Sequence, residues 1–203
     1  MWSTVGTSGA VLKRNLGYIA VAAGLLVIGC VLGSLYSAEL LGAIQPVLEQ
    51  FADLAEKSKE QDSALYTGML IFFNNATACA MMVLFGCFLA LPAMFSLLMN
   101  GMVIGVLFSQ IAAQGVASTW ELIVFGLLPH GIFELPAVMI SAALGMKLGI
   151  VLIKPLKEKT RLESFGFVWL EVVKSAGVIL ALLVIAALVE GAVTPLLLER
   201  VVA

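Results

Sequence analysis

The chain of 203 residues is 62% apolar and 12% charged, with a mean hydropathy of +1.10, far from the roughly 45–50% apolar and about 25% charged mix of soluble domains. That composition belongs in a bilayer and predicts an all-α polytopic bundle of about five transmembrane spans, one integral membrane domain over residues 1–203. A net charge of −2 and a pI near 5.4 leave no basic footprint for nucleic acid; Cys30, Cys79 and Cys87, odd in number and all in apolar segments, signal neither a disulfide framework nor a zinc knuckle.

The N-terminal stretch is rich in Ser, Thr and Gly and ends in Lys13-Arg14, after which residues 16–36 carry no charge. A helix needs about 20 apolar residues to cross hydrocarbon, whereas the apolar region of a signal peptide is only about 7–15 residues long. An uncleaved first span is expected. Residues 39–62 hold six acidic residues and two lysines, and Val47, Leu48, Phe51, Leu54 and Ala55 recur at helical spacing. They predict an amphipathic helix over 46–61 on the outer membrane surface, with Pro46 in its first turn. A solvated connector is the simpler role for it and a partner-docking surface the sharper one.

No Asp, Glu, Lys or Arg occurs from Leu65 to Trp120, a passage too long for one helix. Pro92 divides it into spans at about 66–91 and 93–113, joined by a tight hairpin. Residues 122–153 follow as a fourth apolar stretch, about 50 Å long if helical throughout at ~1.5 Å per residue. Pro129 and Gly131 predict a break there, because proline disfavours helix in the residue before it and glycine tolerates otherwise forbidden dihedrals. Pro136 predicts a kink. Residues 154–174 read as a basic, amphipathic inner linker, with Phe165, Phe167 and Trp169 available to the membrane interface, and 175–197 as a fifth span interrupted late by Glu190 and Pro195.

Orientation follows from Lys and Arg in short loops. With the N-terminus inside, Lys13, Arg14, Lys147, Lys154, Lys157, Lys159, Arg161 and Lys174 lie on the inner side, against Lys57, Lys59 and Arg200 outside. Five spans then put the N-terminus in the cytoplasm and the C-terminus outside.

Ionisable side chains at mid-depth cost about 2.5–3.5 kcal/mol or more on insertion scales, so they need partners. The candidates are Asn74, Asn75, Asn100, His130, Glu134, Glu190 and Thr194, which assumed span ends place at depths where several of them converge. His130 and Glu134 stand one helical turn apart and share a face if the helix begins at His130. They read as a polar latch tying the fourth helix to the second and fifth spans, or as a proton or ion pathway. One histidine with one or two carboxylates falls short of a zinc site. Neither a Gly-x-Ser-x-Gly elbow nor a His-Glu-x-x-His pair occurs, and Asp53 and Asp62 lie outside the spans. No catalytic residue, metal or cofactor is predicted. Three Gly-x-x-x-Gly pairs, Gly29 with Gly33, Gly101 with Gly105 and Gly145 with Gly149, predict close helix approach, either within the chain or in a homodimer.

The order Asn74-Asn75, Asn100-Gly101 with Gly105, Pro129-His130-Gly131 through Glu134-Leu135-Pro136, and Glu190 with Thr194-Pro195 resembles the stage II sporulation protein M family, over about residues 72–195. The Pro-His-Gly-x-x-Glu element is the specific part. The resemblance implies a five-span helical membrane protein of bacteria or archaea. It also implies a scaffold, since the family's namesake is a membrane partner of two cell-wall-degrading proteins during engulfment. The resulting expectation is a non-enzymatic scaffold or complex subunit in the cell membrane, in contact with the lipid bilayer, itself and other envelope proteins. The alternative is a channel or transporter using His130 and Glu134.

Overall fold

The structure is a computed structural model that describes residues 6–61, 63–113, 124 and 128–194. Among them every regular element is helical: α1 (Ser8–Arg14), α2 (Leu16–Leu35), α3 (Ser37–Gln61), α4 (Ala64–Gly86), α5 (Leu91–Ala113), α6 (Leu128–Ile153) and α7 (Arg161–Leu188), which continues as a π-helical turn, Val189–Val193. Five stretches are long and apolar enough to cross a membrane: Leu16–Leu35, Ala64–Gly86, Leu91–Ala113, Gly131–Ile153 and Arg161–Val193.

Glycines set how these spans pack. A Cβ on Gly29 or Gly33 would collide with the backbone of Leu98 or Met102, and one on Gly101 or Gly105 with the carbonyl of Leu26 or Cys30. Partner numbers rise together, so α2 and α5 run parallel with their backbones in near contact. Ser34 Oγ donates to the Gly105 carbonyl at 3.1 Å, and Ser109 Oγ to Ser37 Oγ at 2.9 Å, stitching one end of the pair. Likewise Gly145 abuts Met82, and Gly149 abuts Gly86 and Ala90, so α4 and α6 are also parallel. Two parallel pairs are what alternating crossings require once α3 does not cross. All three Gly-x-x-x-Gly pairs therefore pack within the chain, and none of them argues for a dimer.

Four element boundaries differ from those the sequence suggests. The division between the second and third spans is a turn at 87–90, with Leu89 and Ala90 in left-handed conformation at φ 58° and 67°. Pro92 instead sits in the first turn of α5, where its missing N–H costs nothing. α3 begins at Ser37, leaving Pro46 inside the helix. Its first half packs along α5, Ile44 fully buried with Val103 and Val106, and Gln50 Nε2 donates to Asn74 Oδ1 of α4 at 3.1 Å. The side chains of Phe51, Leu54 and Ala55 lie outside the described residues.

α6 is one helix from Leu128 to Ile153, with Pro129 in its first turn and Pro136 inside it. A Cβ on Gly131 would meet nothing within 4 Å, so that glycine is not forced by space. The segment expected to enter before the break, 122–127, is outside the described residues except for 124, as is Pro195. Finally, α7 begins at Arg161, so the basic linker shortens to 154–160. Thr160 and Glu163 close a capping box over its first turn, which lets helix start fourteen residues before the apolar run that suggested 175.

Candidate functional site

The most deeply buried charges lie at the end of the bundle where α1 meets α6 and α7. Glu171 of α7 has no exposed surface and Lys147 of α6 is 4% exposed. Arg14, the last residue of α1, reaches Glu171 Oε1 through Nε and Nη2, each at 2.6 Å. Lys147 Nζ donates to Glu171 Oε2 at 2.6 Å and to Asn15 Oδ1 at 2.7 Å. Asn15 is itself buried, and its Nδ2 donates to the Val11 carbonyl at 2.8 Å. Both carboxylate oxygens are thus engaged by cations from two other elements.

Aromatic rings complete the shell. Tyr18 lies 5.9 Å from the Lys147 ammonium and Phe167 lies 5.1 Å from the Arg14 guanidinium, within cation–π reach. One turn further along α7, Lys174 Nζ donates to the Gly6 carbonyl at 2.6 Å while its own carbonyl accepts from Ser8 Oγ at 2.7 Å. Together with the Arg14–Glu171 pair, these contacts fasten α1 and the residue Gly6 before it to α7. The hydroxyl of Ser175, beside this cluster, is buried without a hydrogen-bond partner.

Burying an ion costs several kcal/mol even after relaxation, and only close, well-oriented partners offset it. This triad has such partners, so its arrangement can hold three helices in one geometry. Reading single residues missed it. Lys147 counted only toward loop charge and Glu171 vanished into a basic linker, although each is a lone charge in an apolar run, of opposite sign, and each needs a partner.

The residues singled out by sequence fall in several places. On α4, Asn74 accepts from Gln50 and donates to Asn75 Oδ1 at 3.4 Å. Asn100 of α5 is exposed, returns its Nδ2 to the Ser96 carbonyl of its own helix at 2.8 Å, and borders a shallow cavity of about 140 Å³ with Val47, Ser96, Met99 and Val103. At the end of α7, Glu190 Oε2 accepts from Thr194 Oγ1 at 2.9 Å, while Gly191 lets the π-helical turn press on Ala64 and Gly68 of α4. Glu134 of α6 is half-buried. The backbone of His130 is helical one turn before Glu134, and its side chain lies outside the described residues.

A family model described as stage II sporulation protein M matches residues 19–195. An uncharacterized protein of Methanocaldococcus jannaschii is 32% identical over 130 residues, which cover 62% of this chain and 69% of that protein. No solved structure matches.

Proposed function

The chain belongs to the stage II sporulation protein M family, and we propose that it is a non-enzymatic scaffold or complex subunit of the cell membrane, with its N-terminus in the cytoplasm and its C-terminus outside. The observation that carries this reading is Glu171, fully buried with both oxygens held by Arg14 and Lys147. A carboxylate buried and held in this way suits the fixing of helices better than contact with a solute. The Lys and Arg bias of the same end supports the orientation. The test is native electrophoresis of the chain extracted from its own membranes in mild detergent. It should migrate in an assembly larger than itself and lose that assembly when Glu171→Leu loosens the lock; migration of the wild type as a bare protomer would sink the scaffold reading.

One observation favours a second reading, a channel or transporter: Glu134 is a half-buried acid on a spanning helix with His130 one turn before it, and intramembrane ionisable groups mark conduction pathways. Reconstituted liposomes decide it. A pathway predicts proton, cation or small-solute flux that falls in His130→Ala and Glu134→Gln, and equal flux through wild type and both variants removes it.

A further inference from the structure

The loop joining α6 to α7 links two consecutive spans, so it lies at a bilayer face. It carries Lys154, Lys157 and Lys159, and Arg161 opens α7; all four are exposed. Among the described residues their only ion pair is Lys157 with Glu158, 4.0 Å apart with both side chains almost fully in solvent, a geometry that contributes little. The other nearby acid, Glu163, is turned onto its own helix start, where Oε2 accepts from the Thr160 N–H at 2.7 Å and from its hydroxyl at 2.8 Å. Over residues 154–163 four cations stand against two acids, so the loop keeps an excess of positive charge.

Two further features sharpen the patch. Lys159 sits 5.5 Å from the centre of the Phe167 ring, which Arg14 also approaches at 5.1 Å, so two cations gather on one aromatic. Arg14 has Glu171 as counter-charge, and Lys159 lies within electrostatic reach of Glu163. Beside these cations Ile153 is 60% exposed and Leu162 is 80% exposed, apolar side chains next to a basic cluster at the edge of hydrocarbon. Basic residues immediately beyond a span attract the anionic headgroups of the adjoining leaflet.

We propose that the α6–α7 loop is a binding site for an anionic phospholipid, its phosphate on Lys154, Lys159 and Arg161 and its acyl chains along Ile153 and Leu162. The site is independent of the scaffold reading, since it needs only the five spans and the loop between the last two. Because Lys159 and Arg14 share Phe167, the lipid would adjoin the Arg14–Glu171–Lys147 lock.

The test is competitive retention. Purified full chain is incubated with equal amounts of phosphatidylglycerol and phosphatidylcholine, and bound lipid is counted by native mass spectrometry. Phosphatidylglycerol should be retained preferentially, and the preference should fall on the order of tenfold or more in Lys154→Ala/Lys159→Ala/Arg161→Ala. It should be unchanged in Lys57→Ala/Lys59→Ala, which removes two cations from α3. The single Lys159→Gln and Arg161→Gln variants carry the same readout if the triple variant does not fold. Unchanged preference in the loop variants would overturn the proposal, as would release of the lipid by inorganic phosphate at matched concentration, which would assign the cluster to a free anion.

Discussion

At one end of the bundle Arg14, Lys147 and Glu171 meet as three full charges, each within 2.6 Å of a partner, with Lys147 and Glu171 buried beside Asn15 and Tyr18 and Arg14 reaching in from a part-exposed position beside Phe167. Between α3, α4 and α5 the polar groups are neutral amides, Gln50, Asn74, Asn75 and Asn100, joined by longer bonds or returned to their own helix. The first arrangement is costly to break at Glu171, whose loss leaves the buried Lys147 without its counter-charge. The second exchanges partners cheaply, because an amide in a membrane finds substitutes. The difference predicts a steep gradient of mutational effect between two regions that look equally polar on paper.

The largest effect is expected for Glu171→Leu, which strands the buried Lys147 and should cost about 3–5 kcal/mol in thermal unfolding of the detergent-solubilised protein. Lys147→Met combined with Glu171→Leu should recover much of that loss. A double variant as unstable as the single one would mean that the ions are not what holds this end. Next comes Gly105→Val, whose new side chain meets the Cys30 carbonyl. Forcing α2 and α5 apart should cost roughly 1–3 kcal/mol or more, whereas Gly24→Ala, with nothing within 4 Å, should cost nothing.

Smaller effects sharpen the other side. Gly131→Ala should stabilise by about 0.5–1 kcal/mol, as alanine does in a helix interior; a loss instead would restore the helix break that Pro129 and Gly131 suggest in the sequence. Asn74→Ala removes the bond to Gln50 and should cost about 0.6 kcal/mol, the average for an inter-helix hydrogen bond in a membrane protein. Asn100→Leu should stay within about 0.5 kcal/mol of wild type, because that amide already bonds to its own helix. An Asn100 variant as damaged as the Glu171 variant would erase the contrast.

How much of this was written in the sequence differs by feature. The first three spans were legible because charge is absent from them: the run from Leu65 to Trp120 could only be two helices. The close packing was legible from Gly29, Gly33, Gly101, Gly105, Gly145 and Gly149, but which pair met which was not, since spacing fixes a face and leaves the facing helix open. The lock was hidden by averaging. Counting charge from Lys154 to Lys174 makes a linker, and only folding separates Glu171, turned inward, from Lys157, turned to water. The helix start at Arg161 escaped notice because a polar first turn resembles a loop until its cap is seen, and the start at Ser37 because Pro46 looked like a first turn. The resemblance built on Asn74 through Thr194 identified the family, and it lies apart from the residues that most firmly hold the bundle.

The last helix has a consequence for the membrane around it. Running from Arg161 to Val193, it would be about 50 Å long at ~1.5 Å per residue, far more than hydrocarbon requires. Its two buried or half-buried acids, Glu171 and Glu190, stand about 28 Å apart along that axis by the same rise, close to the roughly 30 Å of a typical bilayer core. Each is fastened at its own level, one by Arg14 and Lys147, the other by Thr194. Because Glu171 is sealed inside the bundle and Glu190 only half so, the two ends of this helix meet their surroundings differently, one through protein partners alone and the other partly through its surface.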